Sequence, residues 1–420
     1  MVAPIRRHAL ERLKKLLGAF PVVAITGARQ VGKSTLAQMA LGEVGGVYRT
    51  LDAIATRSQA IEDAEGFVGA TDGLTVIDEI QLVPGLLRAI KLSVDIDRRP
   101  GRFLITGSAN LLKMRTVTES LAGRSAWLEL GPLSWPEIVG APMPRVLDVA
   151  FAAKDASEFL SAVAKPSSHL AEATRIRAIA GGMPPTLGLD SDLRREWYDG
   201  YRQTFIERDL RQLSQIENLP EFSRLLSLAM LRTGGVLNKS DLGSDAGLAY
   251  PTLRRYLGIL EVAYQVWELA PYFVNAGKRL VKTPKLYAGD VGMAAHIANI
   301  RSWDDATSMA RDGALLETWV MNEIVAANQL AEVRSSLAYW RRSAGPEVDC
   351  VLERGDAVVG IEVKATGTVS SSDTRGLRAL RDDLGPRFRL GIVAHTGLRA
   401  EVLDSRLVTL PIASLLGATG

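Results

Sequence analysis

The strongest chemical signal lies in residues 27–34, Gly-Ala-Arg-Gln-Val-Gly-Lys-Ser, where two glycines five positions apart precede a lysine and a serine. This is the spacing of a phosphate-binding loop. Glycines let backbone N–H groups face phosphate oxygens, the lysine reaches the β- and γ-phosphates, and the serine hydroxyl ligates Mg²⁺. The alternative is a glycine-rich turn that matches by chance. We predict that ATP is contacted by Gly27, Ala28, Arg29, Gln30, Val31, Gly32, Lys33, Ser34 and Thr35.

Two elements must position this loop. Residues 21–26 form an apolar, β-branched run that predicts a buried strand. Residues 35–40 predict a helix, whose N-terminus adds partial positive charge beside the phosphates. Ahead of both, residues 5–17 predict an amphipathic helix with leucines on one face and Arg6 and Arg7 away from that face.

A second predicted strand, residues 74–77, ends in two carboxylates, Asp78 and Glu79. Asp78 is expected to hold Mg²⁺ opposite Ser34, and Glu79 to orient the attacking water. The alternative is a strand that ends in an acidic turn. Because the pair follows Lys33 by 45 residues, the combination favours an ATP-hydrolysing site.

A third predicted strand, residues 102–107, leads into small polar residues. Ser108 or Asn110 could sense the γ-phosphate, and a simple strand-ending turn explains them equally well. The alternation of strands and helices predicts an α/β fold with three layers and a mostly parallel sheet. In such sheets ligands bind at the carboxyl ends of the strands, where all these motifs fall.

Composition excludes several classes of protein. The chain has 420 residues, enough for two to four domains. A net charge of +3 is too small to indicate nucleic-acid binding by itself. The single cysteine, Cys350, excludes an internal disulfide and fits a reducing compartment. We find no secretory signal and no apolar run of membrane-spanning length, so we expect a cytoplasmic protein.

The motifs described so far, with residues 120–124 and 132–137, resemble the AAA-type ATPases of a large prokaryotic family whose C-terminal domain has no assigned function. The resemblance covers nearly the whole chain. It implies a homo-oligomeric ring, often a hexamer, in which an arginine reaches the neighbour's γ-phosphate. Arg124 is the candidate for that arginine finger. The alternative is a surface arginine that pairs with Glu119 or Glu129.

Residues 216–275 predict three helices followed by a β-hairpin arm at 266–273, the pattern of a winged helix-turn-helix. Such modules bind DNA in many proteins and pack against protein in others. Between residues 251 and 285 there are six lysines or arginines and two glutamates. This excess favours DNA, with contacts expected near Arg254, Arg255, Lys278 and Arg279.

The C-terminal third carries a second set of acids. Glu317 lies on a predicted helix, Asp349 on a strand, and Glu362 and Lys364 two residues apart on the next strand, so both face one side. Asp349 and Glu362 could bind Mg²⁺, with Glu317 completing the metal site and Lys364 activating water. The alternative is a salt-bridged strand surface.

This arrangement is similar to the PD-(D/E)xK, or restriction-endonuclease-like, superfamily, with Val348 in place of the proline. The resemblance implies a nuclease-like α/β domain and leaves open whether it cleaves, since fold does not imply function. Cys350 is expected to be a small core residue.

We therefore predict an ATPase domain at 1–140, a linker and helical region at 141–215, a winged helix at 216–275, a connecting segment at 276–312 and a nuclease-like domain at 313–420. The expected function is ATP-driven binding and remodelling or processing of DNA. Two alternatives are a nucleotide-dependent regulator of a protein partner, with an inactive nuclease-like fold, and a nucleotide-switched DNA-binding module that does not cleave.

Overall fold

The computed structural model describes residues 4–107, 121–167, 170–204, 216, 218–273, 283–342 and 345–418. Backbone contacts divide the chain into two compact units. The first unit consists of Met1–Leu133 and Leu260–Gln265, and the second consists of Ser134–Ile259 and Val266–Gly420. Five residues named from the sequence lie outside the described ranges: Ser108, Asn110, Glu119, Lys278 and Arg279.

The first unit is built on a parallel sheet in the strand order β2-β3-β4-β1-β5. Its elements are α1 (Ala9–Leu17), β1 (Val22–Thr26), α2 (Lys33–Val44), β2 (Val47–Thr50), α3 (Ile54–Glu62), α4 (Ala64–Gly69), β3 (Thr75–Asp78), α5 (Leu86–Ile96), β4 (Phe103–Thr106) and β5 (Ser125–Glu129). Every residue of β1, β3 and β4 is buried, as expected of strands covered on both faces. The parallel α/β sheet confirms the prediction and brings the carboxyl ends of these three strands to one edge.

The second unit begins with five helices: α6 (Trp135–Val139), α7 (Val146–Ala152), α8 (Ala156–Ala162), α9 (Leu170–Ala180) and α10 (Ser191–Thr204). The sequence predicts a linker with a short helix across the α7–α8 region. Instead these two helices pack on the C-terminal sheet, where Asp148 pairs with Arg354 at 2.7 Å and the Ala156 amide donates to the Ser405 carbonyl.

A module of three helices and three short strands follows. It comprises α11 (Leu219–Leu231), β6 (Gly235–Val236), α12 (Lys239–Ala246), α13 (Tyr250–Val262), β7 (Val266–Leu269) and β8 (Lys285–Ala288), with antiparallel order β6-β8-β7. Gly247, at φ +68°, turns the chain between α12 and α13. The predicted arm at 266–273 is too long, because β7 ends at Leu269 and the Tyr272 amide then donates to the Tyr339 carbonyl.

The C-terminal part is an α/β domain with a mixed six-stranded sheet, ordered β13-β14-β12-β11-β10-β9. Its elements are α14 (Val291–Ile297), α15 (Trp303–Ser308), α16 (Asp312–Leu330), β9 (Ser336–Arg341), β10 (Glu347–Arg354), β11 (Ala357–Lys364), α17 (Arg375–Leu384), β12 (Phe388–His395), β13 (Glu401–Asp404), β14 (Leu407–Pro411) and α18 (Ile412–Leu415). β10 and β11 are antiparallel, and β11, β12 and β14 are parallel. The predicted α/β class of this domain is confirmed.

Among the described residues, no helix combines the length and the apolar character needed to cross a membrane.

Candidate functional site

The loop between β1 and α2 requires glycine at two positions. Gly27 has φ +145°, and a Cβ added there would lie 2.1 Å from the Leu130 carbonyl oxygen. Gly32 has φ +95° and directly precedes α2. Gln30 adopts φ +62°, a conformation that is uncommon for residues other than glycine. This backbone can wrap a phosphate group where a residue with a Cβ at Gly27 could not.

Lys33 is buried inside the same loop. Its ammonium donates to the carbonyls of Gly27 at 3.1 Å and Ala28 at 2.7 Å. The first helical residue is thus held over the concave side of the loop, where a buried ammonium can bind an anion. The glycine-containing loop and the Lys33 ammonium inside it together fit a nucleotide phosphate.

The carboxylate of Asp78 lies directly across from Ser34. Asp78 Oδ1 accepts a hydrogen bond from Ser34 Oγ at 3.1 Å and another from the Thr106 hydroxyl, and Oδ2 accepts from Tyr48 OH at 2.5 Å. Burial, reinforced by the hydrogen bond to Asp78, raises the pKa of Tyr48. A hydroxyl and a carboxylate at this separation are the oxygen donors that Mg²⁺ takes beside bound phosphates.

Glu79 follows Asp78 in a left-handed backbone conformation, φ +60°. Its amide donates to Thr106 Oγ1 at 3.4 Å, and its carboxylate accepts from the Gln81 side chain. Thr106 therefore touches both acidic residues. Thr106 and Tyr48 are not among the site residues predicted from the sequence, although Thr106 ends the strand that was expected to lead into a γ-phosphate sensor.

A buried arginine from the N-terminal segment also reaches the loop. Arg7 Nη1 donates to the Val31 carbonyl at 2.6 Å, and Nη2 donates to the Gly131 and Pro132 carbonyls at 2.9 and 3.2 Å. The predicted helix at 5–17 in fact begins at Ala9, so Arg7 lies before it and turns inward. Only 6% of Arg7 is exposed, in contrast to the predicted position away from the buried face.

Arg124 lies at the other edge of the sheet. It directly precedes β5, and its carbonyl accepts from the Val22 amide at the start of β1. Its guanidinium makes two bonds to Asp95, Nε to Oδ1 at 2.7 Å and Nη2 to Oδ2 at 3.0 Å. It therefore stands away from the phosphate-binding loop of its own chain, and the described structure pairs it with Asp95. Of the two glutamates considered as alternatives, Glu119 lies outside the described residues.

In the three-helix module, Arg254 and Arg255 are exposed on α13. The Arg255 guanidinium also lies 5.2 Å from the ring centre of Tyr256.

The C-terminal acids gather around an unpredicted lysine. The ammonium of Lys285, from β8, lies 2.8 Å from Glu317 Oε1, 2.5 Å from Glu347 Oε1 and 3.1 Å from Asp349 Oδ1. Tyr287 OH donates to Glu317 at 2.6 Å. We call Lys285, Glu317, Glu347 and Asp349 the carboxylate cluster.

Burial would lower the pKa of Lys285, but attraction by the three carboxylates outweighs it and raises that pKa above the ordinary value. Burial and repulsion by Asp349 raise the pKa of Glu317. Lys285 is therefore protonated, and its ammonium is the positive charge that the three carboxylates surround.

Glu362 and Lys364 lie beside the cluster on β11. Lys364 donates to Glu362 Oε1 at 2.7 Å, and the Val363 amide donates to Asp349 Oδ2 at 3.0 Å. Burial and repulsion by Asp349 raise the pKa of Glu362, whose buried Oε2 has no hydrogen-bond partner within the described structure. Cys350 is fully buried, as expected of a core residue.

These residues as placed do not fit the predicted metal site of Glu317, Asp349 and Glu362. The Lys285 ammonium occupies the space between Glu317 and Asp349, and Lys364 takes one oxygen of Glu362. In the described parts of the chain, no group of three or more histidines, cysteines, aspartates and glutamates could hold a metal ion.

Two curated relatives match almost the whole chain. An uncharacterized protein of Mycobacterium tuberculosis (Rv2008c) and one of Mycobacterium bovis (Mb2031c) are each 32% identical over 426 residues, covering 98% of this chain and 84% of the relative. The chain belongs to their family. Residues 19–139 match the AAA domain, 171–304 a domain of unknown function (DUF8612) and 312–415 another domain of unknown function (DUF4143).

The AAA match and the parallel sheet establish an AAA-type P-loop ATPase fold, followed by a C-terminal domain without an assigned function, as the resemblance implied. Among solved structures, the Walker-type ATPase PABY2304 of Pyrococcus abyssi has a TM-score of 0.41 at 15% identity, covering 70% of this chain and 95% of that one. The RuvB Holliday junction branch migration motor of Thermotoga maritima has a TM-score of 0.30 at 16% identity, covering 63% and 89%. Similarities this low carry no functional argument.

Proposed function

We propose that this protein is an ATP-hydrolysing AAA-type ATPase that binds and remodels DNA through its C-terminal modules. The observation that carries the ATPase half is the contact of Ser34 with Asp78, made beside the loop that encloses the Lys33 ammonium. The loop, the hydroxyl and the carboxylate all lie at the carboxyl edge of one parallel sheet, where such sheets bind their ligands.

Each group has a role in this proposal. Lys33 leaves the loop carbonyls to bind the β- and γ-phosphates, and Ser34 and Asp78 hold Mg²⁺, which neutralises phosphate charge when bound. Glu79 orients the attacking water. Thr106 fixes the two acids relative to each other, because its hydroxyl contacts the Asp78 carboxylate and the Glu79 amide.

Arg124 acts in this proposal on a neighbouring subunit, because it lies at the edge of the sheet away from its own loop. In a ring, the bond to Asp95 would be exchanged for one to the neighbour's γ-phosphate. An arginine supplied in this way contributes roughly 10³–10⁵ in rate. Ring assembly is part of the proposal.

The DNA half rests on the topology of the three-helix module. The module consists of helix α11, strand β6, helices α12 and α13, and strands β7 and β8, and its sheet order is β6-β8-β7. This order supports the proposal of a winged helix. Arg254 and Arg255 are exposed on α13, the helix that such modules place in the major groove. Lys278 and Arg279 remain proposed DNA contacts from the sequence.

The order α16, β9–β10–β11, α17 and β12 supports a nuclease-like fold, with Asp349 and Glu362 on adjacent central strands. We propose no cleavage, because Lys285 occupies the carboxylate cluster. We propose that this domain contributes to DNA binding and does not act as a nuclease.

Fluorescence anisotropy of labelled single-stranded, duplex, forked and four-way-junction DNA tests the DNA half. The wild type should bind at least one form, with log K falling by about 0.9 per log[salt] for each neutralised phosphate. Replacing both Arg254 and Arg255 by alanine should weaken binding and make this slope shallower by about two such units. The double variant Arg98→Ala/Arg301→Ala removes two charges elsewhere and should bind like the wild type. Equal binding by both double variants, or no binding by the wild type, overturns the DNA assignment and favours a protein partner.

A further inference from the structure

The carboxylate cluster is assembled from distant parts of the second unit. Lys285 comes from the first position of β8, Glu317 from α16, and Glu347 and Asp349 from alternate positions of β10. Lys285 pairs in register with Leu269 of β7 and Val236 of β6, so its backbone is held on both sides. The three-stranded sheet therefore inserts one lysine into the C-terminal domain.

The ammonium sits where a hard cation would sit. Three carboxylates reach it with single oxygens at 2.5–3.1 Å, and the Lys285 side chain is only 3% exposed. Carboxylate oxygens converging on one buried point are the usual ligands of divalent cations. One ammonium offers three donors and one charge, so it satisfies one oxygen of each acid and leaves the cluster with a net charge of about −2.

The aromatic side chains around the cluster hold the lysine in place. The ammonium lies 5.7 Å from the ring centre of Tyr339, whose hydroxyl donates to the Thr283 carbonyl at 2.6 Å, just ahead of β8. Tyr287, also on β8, donates to Glu317 and stacks on Trp267 at 4.7 Å. β8 thus contacts the C-terminal domain through both a cation and a hydroxyl.

We propose that Lys285 is the built-in cation of the carboxylate cluster, and that the cluster binds a divalent metal ion only when this ammonium is removed. While β8 holds the Lys285 ammonium in the cluster, no metal ion binds there. Metal-dependent chemistry at Asp349 and Glu362 is therefore prevented. This inference does not rest on ATP hydrolysis or on DNA binding, and it explains why the nuclease-like residues as placed do not fit a metal.

Terbium luminescence in nucleotide-free protein tests the proposal, because Tyr287 and Tyr339 lie close enough to sensitise Tb³⁺ held in the cluster. Wild type, Lys285→Met, Lys364→Met and Lys285→Met/Asp349→Asn are titrated with Tb³⁺ and then with Mg²⁺ or Mn²⁺ as competitor. Emission that disappears with Asp349→Asn belongs to the cluster. Lys364→Met is the matched lysine control, since the described structure pairs that lysine with Glu362, which lies outside the carboxylate cluster.

We expect saturable, Asp349-dependent emission in Lys285→Met, displaced by Mn²⁺, and none in wild type or Lys364→Met. Asp349-dependent emission in wild type overturns the proposal, as does its absence in folded Lys285→Met. If Lys285→Met is unstable, Lys285→Met/Glu347→Gln keeps the net charge of the cluster and repeats the test with Glu317 and Asp349. Failure of that folded variant to bind Tb³⁺ also overturns the proposal.

Discussion

Arg7 is expected to hold the phosphate-binding loop in its binding-competent shape, and Arg7→Ala is the perturbation that tests this. Among the carbonyls that Arg7 contacts in the described structure, Val31 lies inside the loop, and Gly131 and Pro132 lie just beyond β5. The arginine therefore ties the loop to the neighbouring chain segment, although it is not expected to touch the nucleotide.

The magnitude follows from the bond that acts on the loop itself. A hydrogen bond to a charged group contributes about 1.5–3 kcal/mol, and each 1.4 kcal/mol is about tenfold in an equilibrium constant. Loss of the bond to the Val31 carbonyl should therefore weaken nucleotide binding by about 10- to 100-fold. Chemistry after binding uses other residues, so KM for ATP should rise far more than kcat falls.

The assay is steady-state ATP turnover together with equilibrium binding of a fluorescent ATP analogue. Arg6→Ala is the matched control, because Arg6 is exposed and pairs at the surface with Glu11. Arg7→Lys should recover part of the affinity, since one ammonium can reach one or two of the carbonyls. Unchanged nucleotide affinity in a folded Arg7→Ala protein, or equal losses from Arg6→Ala, refutes the reasoning.

Three further perturbations probe the two units. Thr106→Val removes the hydroxyl that donates to Asp78 and should lower kcat by about tenfold or more with little change in nucleotide affinity, so an unchanged kcat contradicts the positioning role. Gly27→Ala should abolish binding of the ATP analogue, because the new Cβ meets a backbone oxygen at 2.1 Å, and retained affinity would show that the loop rearranges freely. Burial raises the pKa of Glu323, which accepts from the Trp135 amide, to about 8. Its contribution to folding stability is therefore complete below the unfolded pKa and is lost as pH rises toward 8. The melting temperature should fall more steeply from pH 5 to 8 in wild type than in Glu323→Gln. Parallel plots of melting temperature against pH for the two proteins would contradict this.

The sequence was sufficient where the chemistry is local. The loop from Gly27 to Ser34 and the acids after β3 depend on short motifs whose flanking strands are strongly apolar. Asp290, just ahead of α14, makes a contact of the same local kind, because its side chain accepts from the Met293 amide. In each case the partners lie close in sequence, or the pattern of an adjacent strand determines their positions.

Contacts between distant residues could not be predicted. A lysine at the start of a strand gives no sign that it will meet acids 32 and 64 positions later, as Lys285 meets Glu317 and Asp349. Arg7 next to Arg6 suggests two solvated charges. Because α1 begins only at Ala9, both arginines precede the helix, and Arg7 turns inward while Arg6 stays exposed. These positions depend on tertiary packing, which overrides local charge patterns.

The most direct test of the central claim is Mg²⁺-dependent ATP turnover by the wild type and by Lys33→Ala, with folding checked by thermal melting. We predict saturable turnover in the wild type and a loss of at least about 100-fold in Lys33→Ala, because the only ammonium placed inside the described loop is removed. Equal turnover by the two proteins, or none by the wild type with or without DNA, would contradict the assignment of this site to ATP hydrolysis.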